Sequence, residues 1–411
     1  MRWIIFLIIA LNVWMFFSKD RRLYQRMSEK AYLECTSDDL ARMENYPGDI
    51  LNVTQMELFV KIGYYSHQGK ISSALGKYKN LQSLKVISSD RGTKSFVSFP
   101  NELLELSNLV SLDCKNVIIE ALPENISRLI SLRSINLSKT RIRRLPVSFG
   151  ELPQLRSCIL NDNNLEFLPA NFWNLKSIEQ IDLSNNRLKG LPANIKPLPN
   201  LTILNLGKNS LEALPDGFNN FYALNTLILS ENKLKTLPAS IGKLEALTYF
   251  DLSTNGLEHL PTTFSKIKML KELNLYDNQL NALPFALRSL PNLEELKLGH
   301  NPLENINAAM ASPSLKYLDL SACLLEKIPL DFKQLPQLQD LYMSANRLKS
   351  IPIEIANLEA LRLLDVSNNY LTKLPASMLL MEKLENLNIQ GNAIDDNNLY
   401  LLNRKISKIF D

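Results

Sequence analysis

The sequence predicts an α/β solenoid, with a parallel β-sheet on its inner face and short helical or irregular segments on its outer face. Three observations carry that prediction. Apolar residues recur with a period of 23 residues over most of the chain. Each period opens with a short alternating run and closes with spacings of three and four. An asparagine returns at the ninth place of most periods. Units of this kind bury their apolar edges only by stacking on their neighbours, which excludes a reading as separate globular domains.

Residues 224–246, LNTLILSENKLKTLPASIGKLEA, represent the unit. Opening residues fall at Leu109, Leu132, Leu155, Ile178, Leu201, Leu224, Leu247, Leu270, Leu293, Leu315, Leu338, Leu361 and Leu384. Every step is 23 residues except one of 22, between Leu293 and Leu315. A longer, irregular unit opens at Leu81, which makes about fourteen units. In the first half, Leu227 and Leu229 alternate with Thr226, Ile228 and Ser230. Period two over a short run is a strand buried on one side. In the second half, Leu234, Leu237, Pro238, Ile241 and Leu244 suit a helical or tight-turn return, with the proline opening a turn where no donor is needed.

The ninth place holds Asn163, Asn186, Asn209, Asn232, Asn255, Asn278, Asn301, Asn346, Asn369 and Asn392. Cys323 substitutes once, and Val117 and Thr140 stand there in the first full units. An amide offers donors and an acceptor together, so these residues are expected to tie each turn to its own and the neighbouring backbone as a structural ladder. Together these residues resemble the leucine-rich repeat family, LxxLxLxxNxLxxLPxxhxxL, over residues 81–402. The 23-residue form with its LP pair is similar to the subclass of plant intracellular Ras-group-related and bacterial proteins. The resemblance implies a horseshoe with a concave parallel sheet and a role in binding other macromolecules. Asn307 stands where the proline usually is, in the unit that is one residue short, which points to an altered loop there.

The ends are read separately. Residues 3–17, WIIFLIIALNVWMFF, are nearly all apolar, yet fifteen residues as a helix span about 22 Å, short of the roughly 30 Å of a hydrocarbon core. Length favours an export signal. The missing small-x-small cleavage site and the basic exit, Lys19, Arg21, Arg22 and Arg26, favour a short anchor. Residues 1–19 are therefore expected to be a signal or membrane anchor with the solenoid on the cytoplasmic side; a periplasmic, cell-surface or secreted location is the alternative. Residues 20–80 are read as an irregular N-terminal cap and 81–394 as the solenoid. Residues 395–411 are read as a C-terminal capping helix with an apolar stripe of Leu399, Leu402, Ile406 and Ile409.

Composition excludes several functions. Lys plus Arg is 46 against 42 Asp plus Glu, a net charge of +4, which argues against nucleic-acid binding by bulk charge. Four cysteines and three histidines are too few and scattered for a disulfide scaffold or zinc cluster. No phosphate-cradling, zincin or nucleophile-elbow motif occurs. No cofactor, metal or catalytic residue is expected. Asp113, Asp182, Asp251, Asp319 and Asp365 at the fifth place alternate with Asn136, Asn205, Asn274 and Asn388, and read as filler at an exposed strand position.

The inner face carries the functional signal. Ile159, Ile203, Ile228, Tyr249, Tyr276, Tyr317, Tyr342 and Leu363 stand at outward places where small or polar residues are usual. Tyrosine on a rigid strand binds at low entropic cost. Glu272, Asp277, Glu294 and Glu295 flank Tyr276, partly offset by Lys271 and Lys297. The expected function is a non-enzymatic scaffold that recognises a protein partner on its concave face, in signalling at a membrane. The alternative is an exported surface or adhesive protein that binds a host or matrix ligand.

Overall fold

In the computed structural model each repeat is one turn of a coil, and residues 224–246 show how the sequence sets its path. Leu224, Leu227 and Leu229 are fully buried, while Thr226 and Ile228 flank Leu227 on the open side of a three-residue strand. Glu231 then takes a left-handed conformation, φ 53, and turns the chain off the sheet. Pro238, φ −66 and ψ 150, leads into a 3-10 segment, Ala239–Lys243. Its fixed φ suits that place, and its missing N–H costs nothing there. Ile241 N–H donates to the Pro238 carbonyl (3.0 Å), Leu244 to Ile241 (3.2 Å) and Leu247 to Leu244 (3.1 Å), returning the chain to the next strand. The outer segments are thus 3-10 rather than α-helical.

The structure describes residues 32–36, 53–60, 68–88, 96–119, 121–303, 312–328, 330–394, 400, 402 and 406–410. They fall into two units, Met1–Leu201 and Thr202–Asp411. The first carries β1 (Tyr32–Thr36), β2 (Gln55–Val60), β3 (Gln68–Lys70), β4 (Ser83–Ser88), β5 (Phe96–Ser98), β6 (Ser111–Asp113), β7 (Ser134–Asn136), β8 (Ser157–Ile159) and β9 (Gln180–Asp182). Strands β1, β2, β4, β6, β7, β8 and β9 pair in that order, all parallel. Strands β3 and β5 form a separate parallel pair. Phe149 and Phe172, on successive return segments, are fully buried with their rings stacked 6.2 Å apart.

The second unit carries β10 (Ile203–Asn205), β11 (Thr226–Ile228), β12 (Tyr249–Asp251), β13 (Glu272–Asn274), β14 (Glu295–Lys297), β15 (Tyr317–Asp319), β16 (Asp340–Tyr342), β17 (Leu363–Asp365), β18 (Asn386–Asn388) and β19 (Lys408–Phe410). Each pairs in parallel with the next. The register matches like place to like place, as in Thr226↔Tyr249 and Leu227↔Phe250. Every strand therefore offers its third and fifth places to the same open face. Within each unit the expected class, a solenoid with a parallel sheet backed by short return segments, is the one observed.

Three expectations are corrected. Residues 20–80 are not an irregular cap throughout: β1 and β2 extend the parallel ladder ahead of β4. Tyr32 pairs with Gln55, but Gln55 pairs with Ser83 and Ser83 with Ser111, so two longer turns broke the 23-residue period. Lys408–Phe410 is a strand beside β18, not part of a helix; among the described C-terminal residues only Tyr400 and Leu402 are helical. The membrane-associated location is corrected to what is described: no helix among the described residues is long and apolar enough to cross a membrane. Residues 3–17, Asn307 and Leu399 lie outside the described residues.

Candidate functional site

The open face is presented by turns that fasten themselves. In the second unit, Asn232 Nδ2 donates to the carbonyls of Leu229 (3.0 Å) and Ser230 (3.2 Å) in its own turn and of Leu206 (3.0 Å) in the preceding one. Its Oδ1 accepts from the Leu211 N–H of that preceding turn at 3.0 Å. Asn186, Asn278, Asn301, Asn346 and Asn369 are buried and repeat the pattern. Asn163 bonds the Leu137 carbonyl across turns, as Asn255 bonds Leu229 and Asn392 bonds Val366; Asn209 Nδ2 donates to Leu206 within its own turn. Cys323 keeps a weak version, its thiol donating to the Leu298 carbonyl at 3.3 Å and to Ser321 at 3.4 Å. Burial pushes that thiol up to about 12 despite hydrogen bonds from the Asn301 and His300 backbone.

The fifth-place aspartates are turn fasteners and not filler. Asp251 Oδ1 accepts from both the N–H (3.0 Å) and the hydroxyl (2.7 Å) of Ser253. Asp182, Asp319 and Asp365 do the same with the serine two residues on, and Asn274 with the Tyr276 N–H at 3.1 Å. The Asp-x-Ser spacing was the available signal. It pins the strand exit as an Asx turn.

Ile203, Ile228, Tyr249, Tyr276, Tyr317, Tyr342 and Leu363 all lie in the second unit, at strand or strand-exit places. Ile203 is exposed and the others are half-buried. Ile159 lies on β8 of the first unit, opposite Asn136 and Asp182, and the third places of β6 to β9 there hold small or polar Ser111, Ser134, Ser157 and Gln180. The Tyr317 and Tyr342 rings meet at 5.2 Å. Tyr249 instead stands opposite Glu272, whereas Tyr276 lies past the end of β13 and packs on His300 at 4.8 Å. Those two are on neighbouring turns but about 13 Å apart along the strand direction.

The charges are arranged around these rings. Glu294 is held between Lys316 (2.6 Å) and Lys271 (3.8 Å), and the Lys316 hydrogen bond keeps its carboxyl below the ordinary value. Lys297 pairs with Glu295 at 2.6 Å and lies 5.6 Å over the Tyr317 ring. Desolvation opposes its charge, but the hydrogen bond and charge of Glu295 outweigh it and hold Lys297 above the usual lysine value. Burial first, then nearby carboxylates, raise all four phenols: Asp251 and Glu272 act on Tyr249, Asp319 and Asp277 on Tyr276, Asp319 on Tyr317, and Asp340 and Asp365 on Tyr342. The tyrosines are therefore neutral hydroxyl donors at physiological pH. A depression of about 180 Å³ adjoins the tyrosine pair, lined by Tyr342, Leu363, Asp365, Asn386, Asn388, Gln390 and Phe410. Phe410 lines it from β19, a strand where the apolar spacing predicts a helix. No group of His, Cys, Asp and Glu among the described residues is arranged to hold a metal ion.

Comparison with known proteins agrees with this geometry. The sequence pattern described as Leucine rich repeat matches residues 130–188, 199–257, 291–348 and 336–394. A two-copy form of the pattern matches residues 268–309. No curated protein matches the chain in sequence. Among solved structures, a leucine-rich repeat protein of Leptospira interrogans is 28% identical with a TM-score of 0.77, over 88% of this chain and 90% of its own. The leucine-rich repeat ectodomain of the plant membrane receptor kinase GASSHO1/SCHENGEN3 from Arabidopsis thaliana, in complex with Casparian strip integrity factor 2, is 26% identical. Its TM-score is 0.60, over 82% of this chain and 47% of its own. An internalin from Listeria monocytogenes, 21% identical with a TM-score of 0.58 over 85% of this chain and 88% of its own, shares the fold. With the repeat pattern matched over more than half of its length, the chain belongs to the leucine-rich repeat family.

Proposed function

We propose that this protein is a non-enzymatic scaffold that recognises a protein partner on the open sheet face of its second unit, the concave side of a leucine-rich repeat stack. The observation that carries the reading is the set of four tyrosines placed on one face by strand register and turn bonds, three of them with rings packed on a neighbouring ring. A side chain already held in place forfeits little freedom on binding, where a mobile one costs about 0.5–1.5 kcal/mol. Tyrosine is among the residues enriched as interface anchors, because its ring is apolar and its hydroxyl can hydrogen-bond. The receptor ectodomain similar to this chain was solved with a bound factor, which supports a peptide or protein as the class of ligand.

The test compares partner capture by the full chain and by the variant carrying Tyr249→Ala, Tyr276→Ala, Tyr317→Ala and Tyr342→Ala. None of the four rings is in the buried core, so the melting temperature should stay within a few degrees, as for surface substitutions. Partners retained by the wild type should be lost. Equal capture at equal stability removes the sheet face from the account.

A further inference from the structure

We propose that the occupant of this face is a cationic, extended polypeptide segment, with an arginine side chain seated in the depression between Tyr342 and Phe410. The inference rests on the protein-binding reading and names the chemistry of the partner. At the third and fifth places of β12 to β17 stand Asp251, Glu272, Glu295, Asp319, Asp340 and Asp365, against one lysine, Lys297. The chain as a whole is positive, +4, so this negative face is a local arrangement and not a consequence of composition. Complementary charge selects and orients a partner more than it adds raw affinity.

The face already holds a cation in the manner proposed. Lys297 sits between the Glu295 carboxylate at 2.6 Å and the Tyr317 ring at 5.6 Å. An ammonium or guanidinium from a partner meets the same pairing at the depression: an aromatic ring on Tyr342, another on Phe410, and the Asp365 carboxylate. Arginine fits best, because its planar group stacks on rings and reaches a carboxylate with directed N–H donors. Asp365 uses Oδ1 for Ser367 and accepts from Asn388 Nδ2 at 3.2 Å on Oδ2, and a carboxylate has about four acceptor sites. A volume of about 180 Å³ falls below the roughly 300 Å³ where small-molecule pockets begin, but holds one long side chain. Six strands at about 4.8 Å span roughly 24 Å, the reach of about seven extended residues.

The experiment selects a random dodecapeptide display library on the immobilised full chain. It then titrates the selected peptides against the wild type, the four-tyrosine variant, Tyr342→Ala, Asp365→Asn and Glu354→Gln. Asp365→Asn removes the charge while keeping the turn, since Asn274 makes the same bond in a sibling turn. Glu354 lies on a return segment and serves as the control for non-specific charge attraction. The expected peptides depend on the tyrosines, carry an excess of arginine and lysine, and weaken about tenfold with Tyr342→Ala or Asp365→Asn but not with Glu354→Gln. Tyrosine-dependent peptides that are neutral or acidic, or basic peptides indifferent to Asp365→Asn, overturn the cationic inference and leave the protein-binding face standing. An absence of any tyrosine-dependent peptide overturns both.

Discussion

Asn232 shows how one side chain replaces a stretch of secondary structure. Past the end of β11 alternate N–H groups still reach the next turn, Leu229 to the Asp251 carbonyl (2.8 Å) and Glu231 to that of Ser253 (2.9 Å), and the amide adds partners for carbonyls in two turns and for one N–H. Its neighbour at the eighth place is left-handed in turn after turn, at Asp162, Asn185, Lys208, Glu231, Thr254, Asp277, His300, Ala345 and Asn368. That conformation is strained for most L-residues and is held by the bonds around it. Where the ninth place is Thr140 or Cys323, the tenth residue, Arg141 or Leu324, is left-handed too. There the next turn's asparagine takes an extra backbone donor, Thr140 N–H to Asn163 (3.0 Å) and Cys323 N–H to Asn346 (2.9 Å). Asn232→Ala is expected to cost about 1–3 kcal/mol in urea unfolding, because it leaves buried backbone groups without partners. Asn232→Cys should cost less, since Cys323 keeps two of these contacts. Equal losses for the two variants would show that packing and not hydrogen bonding sets the penalty.

The 3-10 return segments decide how closely turns approach. Gly242 lies in the segment Ala239–Lys243, and a Cβ placed there would stand 2.1 Å from the Thr263 carbonyl of the next turn. At this place the two return segments meet backbone to backbone, leaving no room for a side chain on Gly242. Gly242→Ala should therefore destabilise by about 1–3 kcal/mol, as overpacking of a close contact does. Gly190, with nothing within 4 Å of an added Cβ, is the comparison: Gly190→Ala should change stability by less than about 0.5 kcal/mol. A neutral Gly242→Ala would mean that the segments separate readily. The strands of the repeat were legible in sequence because every turn restates them. β1 and β2 were not, although Met56 and Leu58 alternate with polar residues and are buried, because longer turns displaced them from the period. β19 was missed for a related reason: Leu402, Ile406 and Ile409 have helical spacing, yet Lys408, Ile409 and Phe410 pair with Asn386, Leu387 and Asn388. An open sheet edge offers backbone partners that a spacing rule does not weigh.

For the molecule as a whole, the leucine pattern specified the parallel turns within each unit, since buried apolar places and register are one constraint. The candidate face was legible in part. Its tyrosines stood out against small neighbours, but the pairing of Tyr317 with Tyr342, the contact of Tyr276 with His300 and the depression beside Phe410 depend on side-chain direction and on the last strand. In the first unit the third places of β6 to β9 hold Ser111, Ser134, Ser157 and Gln180, none of them aromatic. The most direct measurement is amide hydrogen exchange of the full chain with and without the partner that the wild type retains. The account predicts protection concentrated on Tyr249–Asp251, Tyr317–Asp319, Asp340–Tyr342 and their strand exits, with the return segments Ala239–Lys243 and Ile353–Asn357 unchanged. Protection confined to the return segments, with the strands of the second unit unaffected, would contradict it.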